Sequence, residues 1–329
     1  MLSKTSIISP ANIAFVKYWG RRNDNLILPL NSSVSMNMSG CTTTTSCEWG
    51  EWEEDSIKIM YKGREMVEAS GAAREKALKV IDRVREKLGT KLRVRIESEN
   101  NFPEATGIAS SASGFSALTK ALYESFGASL SEKEMTIETR LSGSGSACRS
   151  IPDGFVVWDN GDNDDGSDSY AYSIAPAKHW ELVDLVCLVD IGNKKVSSGE
   201  GHIRAKNEYM QARLINIENR VSETIAAIKE RDLEKLGVVT EIEAMSLHAV
   251  CMMSEPPIFY LNGATFEVMA TIRELREQGV MAYYTMDAGA NVHIITEMQY
   301  LPEVKSALSK IDKVVMMIEN VSTNGARIL

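Results

Sequence analysis

Strands gathered in groups, with helices between the groups rather than in strict alternation, place this 329-residue chain in the α+β class. Three observations carry that reading. Strand-like runs recur at 56–61, 91–97, 154–158 and 170–174, and again at 182–191, 282–286, 292–296 and 313–318. Apolar residues at helical spacing recur at 72–88, 110–126, 131–141, 204–229, 232–245 and 265–278. Between the fourth and fifth strands lies the connector Ala175-Pro-Ala-Lys-His-Trp180, which predicts two domains, 1–178 and 179–329.

Composition narrows the function classes. A 44% hydrophobic and 25% charged content is that of a globular enzyme, and a net charge of −9 argues against non-specific nucleic-acid binding. No run approaches the roughly 18 apolar residues of a membrane span. The opening Met-Leu-Ser-Lys-Thr-Ser-Ile-Ile is too short and mixed for a secretory signal. Cys41, Cys47, Cys148, Cys187 and Cys251 are odd in number and form no metal-ligand pair, which predicts reduced thiols in a cytoplasm. The four histidines lack metal spacing and are expected to be structural. The acidic run 159–168 resembles a calcium loop only superficially, because Gly161 and Tyr172 stand where carboxylates belong; it predicts a solvated turn.

Several segments carry polar residues that a core does not need. Asn101-Phe-Pro-Glu-Ala-Thr-Gly-Ile-Ala-Ser-Ser-Ala-Ser-Gly114 joins the strand 91–97 to a helix beginning near Ser110. Small and hydroxyl residues there present free N–H groups at a positive helix end, which favours phosphate; no Gly-Lys-Ser/Thr follows, so the pattern is not Walker's. In Pro10-Ala-Asn-Ile-Ala-Phe-Val-Lys-Tyr-Trp-Gly20, Ile13 and Phe15 pack while Lys17 and Arg21 offer fixed positive charge. In Gly143-Ser-Gly-Ser-Ala-Cys-Arg-Ser150, Arg149 suits bidentate binding of a carboxylate. Lys194-Lys-Val-Ser-Ser198 is a basic, hydroxylic turn. Asp287 ends an apolar strand and enters a small-residue turn, a setting for a catalytic acid facing a cleft. Together they imply an anionic substrate bearing phosphate and carboxylate.

These segments resemble the mevalonate diphosphate decarboxylase family. The likeness rests on Asn12-Ile-Ala, Lys17-Tyr-Trp-Gly20, Leu28-Pro-Leu-Asn-Ser-Ser33, Gly107-Ile-Ala-Ser-Ser111, the Arg149 segment, Asp165-Gly-Ser-Asp168, Lys195-Val-Ser-Ser198, His248-Ala-Val-Cys251, Pro256-Pro-Ile-Phe-Tyr-Leu-Asn262 and Tyr284-Thr-Met-Asp-Ala-Gly289, in the family's order along nearly the whole chain. The resemblance implies the GHMP kinase fold: an N-terminal α+β domain with a phosphate loop, a C-terminal ferredoxin-like domain and an active-site cleft between them. It implies a homodimer and a phosphorylated mevalonate as substrate. It gives Asp287, Arg149 and Lys17 catalytic roles: activating the 3-hydroxyl, holding the carboxylate, and placing a cation near the reacting group. Asn12, Tyr18, Arg21, Arg74, Ser144 and Ser146 are implied to bind substrate, and Gly107, Ser110 and Ser111 to bind nucleotide phosphates if ATP is used. No metal-ligating residue is expected.

Departures from the family cluster around ATP. The phosphate loop reads Pro103-Glu-Ala-Thr-Gly107 where the family has Pro-Thr-Ala-Ala-Gly, and a carboxylate beside a triphosphate repels it. Ile151-Pro-Asp-Gly154 adds a second acid after the arginine turn, and Gly199 stands where many members carry a hydroxyl. These departures set the expectation: elimination of the 3-phosphate from mevalonate 3,5-bisphosphate, giving isopentenyl phosphate without ATP or any cofactor, as in the archaeal bisphosphomevalonate branch. The alternative is an ATP- and Mg²⁺-dependent mevalonate 5-diphosphate decarboxylase, with the 5-monophosphate enzyme third. From other classes, a small-molecule kinase is disfavoured by Arg149, and a non-catalytic binding protein by retention of Asp287, Arg149 and Lys17 together.

Overall fold

The computed structural model describes residues 2–103, 110–190, 192 and 195–329, the Ser110 side chain excepted. The first half of the chain contains strands β1 (Thr5–Val16), β2 (Arg21–Asn23), β3 (Leu28–Pro29), β4 (Ser33–Gly50), β5 (Ser56–Tyr61) and β6 (Val67–Glu68). Helix α1 (Gly71–Leu88), β7 (Arg93–Asn100), α2 (Ser110–Phe126), α3 (Glu132–Arg140), the 3₁₀ turn Gly145–Ser150, β8 (Phe155–Trp158) and β9 (Ala171–Ala175) follow. The second half contains β10 (Leu182–Leu188), α4 (Ser198–Arg204), α5 (Glu208–Ile215), α6 (Ile217–Glu230), α7 (Leu233–Met252) and α8 (Gly263–Glu277). It continues with β11 (Ala282–Thr285), β12 (Val292–Glu297), α9 (Leu301–Leu308), β13 (Met316–Val321) and β14 (Arg327–Ile328).

Among the described residues, one sheet runs β14-β1-β4-β7-β5-β6, with β8 on β4 and β9 on β8. Its pairs are antiparallel except β5 with β7. A second, antiparallel sheet runs β11-β12-β10-β13. A continuous apolar core joins the two: Ala11, Phe15, Val34 and Met36 of the first meet Leu182, Val186, Tyr283 and Ile295 of the second. The α+β class stands. The last strand, β14, returns to the first sheet and pairs with β1 at Ile7–Ile328.

Local chemistry sets the element ends. In α3, Ser131 and Glu134 form a reciprocal capping box, and Asn262 with Thr265 does the same for α8. The segment 204–229, expected as one helix, is two, with Arg204 the last residue of α4: Asn207 caps α5 by accepting from the Met210 N–H, and Asn216 separates α5 from α6. Strands β1 and β4 carry no strand signal in the sequence reading. Pro10 removes a ladder donor from β1 and sits at a register shift. β4 is rich in Ser and Thr whose hydroxyls are spent inside: Thr43 donates to Asn100 Oδ1 (2.5 Å) and shares a hydrogen bond with the Ser113 hydroxyl (2.7 Å), beside the Ser9–Ser116 pair at 2.5 Å. These hydroxyls pin α2 against β1 and β4, which fixes the floor of the site.

Candidate active site

Arg149 leaves the 3₁₀ turn and lies beneath β1 and β4, only 3% exposed. Gly145 lets that turn press on Trp158, since a Cβ there would meet the indole at 2.6 Å. The guanidinium Nε donates to Asn12 Oδ1 (3.2 Å) and Ser35 Oγ (3.1 Å), Nη1 to Ser33 Oγ (2.7 Å), and Nη2 to Asn12 Oδ1 (3.1 Å). Asn12 is held in turn by donating to the Ser146 carbonyl (3.2 Å) and Ser150 Oγ (2.8 Å). A guanidinium has five N–H donors, so one on each terminal nitrogen is left without a partner among the described residues. Two spare donors on one planar cation suit a carboxylate.

Lys17 follows the end of β1, and Asp287 follows β11. Lys17 Nζ donates to Asp287 Oδ1 at 2.7 Å; the lysine side chain is 2% exposed, the aspartate 26%. The pair is therefore a buried cation under a carboxylate that reaches solvent. Burial pulls the Lys17 ammonium below its ordinary pKa, with Asp287 opposing. Burial alone would raise the Asp287 carboxyl, but Lys17, His293 and Arg149 outweigh it and hold it below the usual aspartate value. Asp287 is thus ionised at neutral pH, with Arg149 close enough for each charge to bear on the other.

Behind this pair sits a buried scaffold that the sequence reading missed. Arg213 donates to the Lys17 carbonyl (2.7 Å), to Asn31 Oδ1 (3.0 Å) and to Glu243; Asn31 also donates to the Lys17 carbonyl (3.0 Å). Glu243 accepts from the Lys17 N–H (3.4 Å) and from Arg220 (2.8 Å). Both polar groups of the Lys17 peptide are therefore fixed, by Arg213 of α5, Glu243 of α7 and Asn31 of the β3–β4 connection. No spacing rule links positions 17, 31, 213 and 243; apart from Lys17 itself, only Asn31 lay in a quoted motif.

The hydroxyls of Ser111, Ser144 and Ser146 form a chain at 3.1 and 3.3 Å, joining the first turn of α2 to the approach to Arg149. Tyr18, 8% exposed, accepts from Arg21 Nε through its hydroxyl at 2.7 Å. Of the expected residues, the structure thus links Arg149 with Asn12 and Ser146, Lys17 with Asp287, Ser111 with Ser144, and Tyr18 with Arg21. Arg74 is not brought in. It lies on α1, donates to the Asp55 carbonyl (3.1 Å) and pairs with Glu68 (3.8 Å) at the β5–β6 edge. Gly107, the Ser110 side chain and Glu104 lie outside the described residues.

One sequence departure reads differently in three dimensions, while the acidic run 159–168 is the turn that was expected. Asp153 accepts from the Gly325 N–H at 2.7 Å, and a Cβ on Gly325 would strike the Ile151 carbonyl at 2.1 Å. That acid clasps the returning C-terminal segment and its charge is spent there. The acidic run 159–168 is a pinned turn: Asp168 accepts from the Asp162 (2.8 Å) and Asn163 N–H groups, and Arg22 donates to the carbonyls of Asn160, Gly161 and Asn163. What remains suits a phosphate group. Ser111 and Ser144 offer hydroxyls at the positive end of the 17-residue α2. No described group of three His, Cys, Asp or Glu could hold a metal. Any Mg²⁺ would therefore be bound chiefly through phosphate oxygens, as this ion commonly is.

Comparison with known proteins agrees with this arrangement. Residues 9–171 match the diphosphomevalonate decarboxylase-like N-terminal domain, and residues 184–326 the mevalonate 5-diphosphate decarboxylase C-terminal domain. A diphosphomevalonate decarboxylase of Ganoderma lucidum is 36% identical over 324 residues, covering 92% of this chain and 80% of the relative. A solved structure described as MDDEF in complex with MVAPP, AMPPCP and magnesium superposes with a TM-score of 0.90 at 32% identity, over 99% and 98% of the two chains. Another, concerning mevalonate diphosphate-mediated ATP binding by the Enterococcus faecalis decarboxylase, has a TM-score of 0.88 at 31% identity over the same shares. The expectation of a reaction without ATP or cofactor is overturned by these neighbours, which bind ATP or a nucleotide analogue with magnesium. Of the departures behind that expectation, Asp153 gives it no support, being engaged by the Gly325 N–H. The chain belongs to the diphosphomevalonate decarboxylase family: it is a carboxy-lyase of the mevalonate pathway, acting on a phosphorylated mevalonate and built on the two-domain GHMP kinase fold.

Proposed function

We propose that this chain is an ATP-dependent mevalonate 5-diphosphate decarboxylase, giving isopentenyl diphosphate, ADP, phosphate and carbon dioxide. The observation that carries it is the buried Lys17–Asp287 pair beside an Arg149 fork with two N–H groups to spare. The relatives' names and the nucleotide-bound neighbours support the diphosphate and ATP. In this reading Arg149 grips the substrate carboxylate, and Asp287 accepts a hydrogen bond from the 3-hydroxyl. A carboxylate with a lowered pKa is a weak base, but phosphoryl transfer through a loose transition state asks little deprotonation of the nucleophile. Orientation is the larger contribution. Ser111 and the α2 dipole hold phosphate oxygens, and Mg²⁺ bound with the nucleotide would supply charge neutralisation there.

The phosphorylated oxygen then leaves with the C3–O electrons. Positive charge develops at C3, where Asp287 stabilises it from a fixed position. Lys17 offsets the charge of the departing phosphate. The C1–C2 pair becomes the C2–C3 double bond and carbon dioxide is released. We assign residues 1–178 and 179–329 to the two domains, with the terminal β14 of the second segment returning to the first sheet. We also place the enzyme in the cytoplasm, a reading supported by five unbridged cysteines, and take the homodimer from the family resemblance alone. No described helix is long and apolar enough to cross a membrane. The test is incubation with mevalonate 5-diphosphate and Mg-ATP, with mevalonate 5-phosphate and Mg-ATP alongside. Equal yields of ADP and isopentenyl diphosphate are expected from the first; isopentenyl phosphate from the second alone would overturn the diphosphate assignment.

A further inference from the structure

His202 was expected to be structural, and its packing agrees with that while leaving one edge of the ring open. It lies on α4, 7% exposed, with its ring 4.2 Å from Tyr18 and 4.5 Å from Trp19, tilted 30° and 36°. Its Nδ1 accepts from the Gly20 N–H at 3.0 Å. An imidazole nitrogen that accepts carries no proton, so the neutral ring bears its hydrogen on Nε2. The two faces are covered by aromatic rings and one edge by the backbone. What remains is the Nε2 edge. It has no partner among the described residues, yet, unlike His248 Nε2, it is not sealed from solvent. Gly201 makes the placement possible, because a Cβ there would strike Trp19 at 2.6 Å and Tyr260 at 2.9 Å.

The surroundings give the open donor a purpose. Tyr18 carries Arg21 on its hydroxyl, so the ring stacked on Tyr18 lies beside a guanidinium. Burial, then the charges of Arg21 and Arg213, push the His202 pKa well below the ordinary histidine value. The ring is thus a neutral donor rather than a second cation. A neutral N–H beside a guanidinium suits an anion that needs several donors in fixed directions, as a phosphate does.

We propose that His202 is a further substrate-binding residue, donating from Nε2–H to a phosphate oxygen at the 5-end of the substrate and favouring the diphosphate over the monophosphate. The proposal rests on the site being that of a phosphorylated mevalonate. Two variants separate binding from support of the fold. His202→Asn keeps an acceptor near Nδ1 for the Gly20 N–H but removes the open donor, whereas His202→Gln restores a donor near Nε2. With saturating Mg-ATP, His202→Asn is expected to raise KM for mevalonate 5-diphosphate about tenfold or more, with kcat within about twofold, since one hydrogen bond to a charged group is lost. His202→Gln is expected to recover most of the affinity, and the preference over mevalonate 5-phosphate is expected to narrow only in His202→Asn. An unchanged KM in His202→Asn, a loss confined to kcat, or equal defects in both variants would overturn the proposal. Turnover of the monophosphate alone by the unaltered enzyme sinks the diphosphate reading, and with it the preference; the binding role then stands or falls on the same KM split. If the unaltered enzyme turns over neither compound, calorimetry with inorganic pyrophosphate decides: weaker binding in His202→Asn than in His202→Gln supports the binding role, and equal or absent binding refutes it.

Discussion

Asp287→Asn isolates the charge of the catalytic pair, because asparagine keeps the volume and one oxygen acceptor. At 2.7 Å the attraction between Lys17 and Asp287 is roughly 6 kcal/mol at an effective dielectric of about 20. Asp287 is a quarter exposed, and screening by water brings the usable part to about 3 kcal/mol. The sign with pH follows from Lys17. Burial holds its folded pKa below the ordinary 10.5, so its charged form costs stability below that folded pKa, and the cost is gone above 10.5. Removing Asp287 lowers the folded pKa further. The added loss is then complete below the variant's pKa and disappears as pH rises through the original enzyme's folded value. Urea unfolding of both proteins at pH 6, 8 and 10 is expected to show a deficit of about 3 kcal/mol at pH 6 that shrinks by pH 10. For catalysis, a carboxylate about 4 Å from the developing cation contributes about 4 kcal/mol at the same dielectric. Carbon dioxide release is therefore expected to fall about a thousandfold. A deficit of equal size at pH 6 and pH 10, or turnover within tenfold of the unaltered enzyme, would refute the reasoning.

Three further outcomes are expected. Arg149→Lys loses the fork and leaves Asn12, Ser33 and Ser35 without their donor, so kcat/KM is expected to drop at least a hundredfold in steady-state assays. Glu243→Gln strips the carboxylate from the fully buried Arg213, and urea titration is expected to show about 3–5 kcal/mol less stability. Burial pushes the Cys47, Cys148, Cys187 and Cys251 thiols up to about 12, and Cys41 in the same direction. Iodoacetamide at pH 8 is accordingly expected to leave the native protein unlabelled by mass spectrometry and to label all five cysteines in urea.

Where hydrophobic periodicity was strong, the sequence was legible: the strand Ser56–Tyr61 and the helix Ser110–Phe126 were read to the residue. The two longest strands were not. β4 turns Thr43 and Thr45 inward toward hydroxyl and amide partners, and β1 carries a proline, so neither advertises an apolar face. The site divided in the same way. Lys17, Arg149 and Asp287 were visible because charged residues in apolar or small-residue surroundings need a reason. Glu243 and Arg213 sit on helices where acids and bases are ordinary, and only folding shows that they are sealed. Arg74 shows the opposite failure, since a basic residue on an amphipathic helix found local partners at the far edge of the sheet.

The return of β14 to β1 has a mechanical consequence. The chain crosses between the two sheets twice, once through 175–182 and again through 321–327, where Asp153 holds Gly325. Separation or twisting of the halves would have to part the shared apolar core, peel β14 from β1 and release the Asp153 clasp. Lys17 and Asp287, carried by opposite halves, are thereby held at their meeting point.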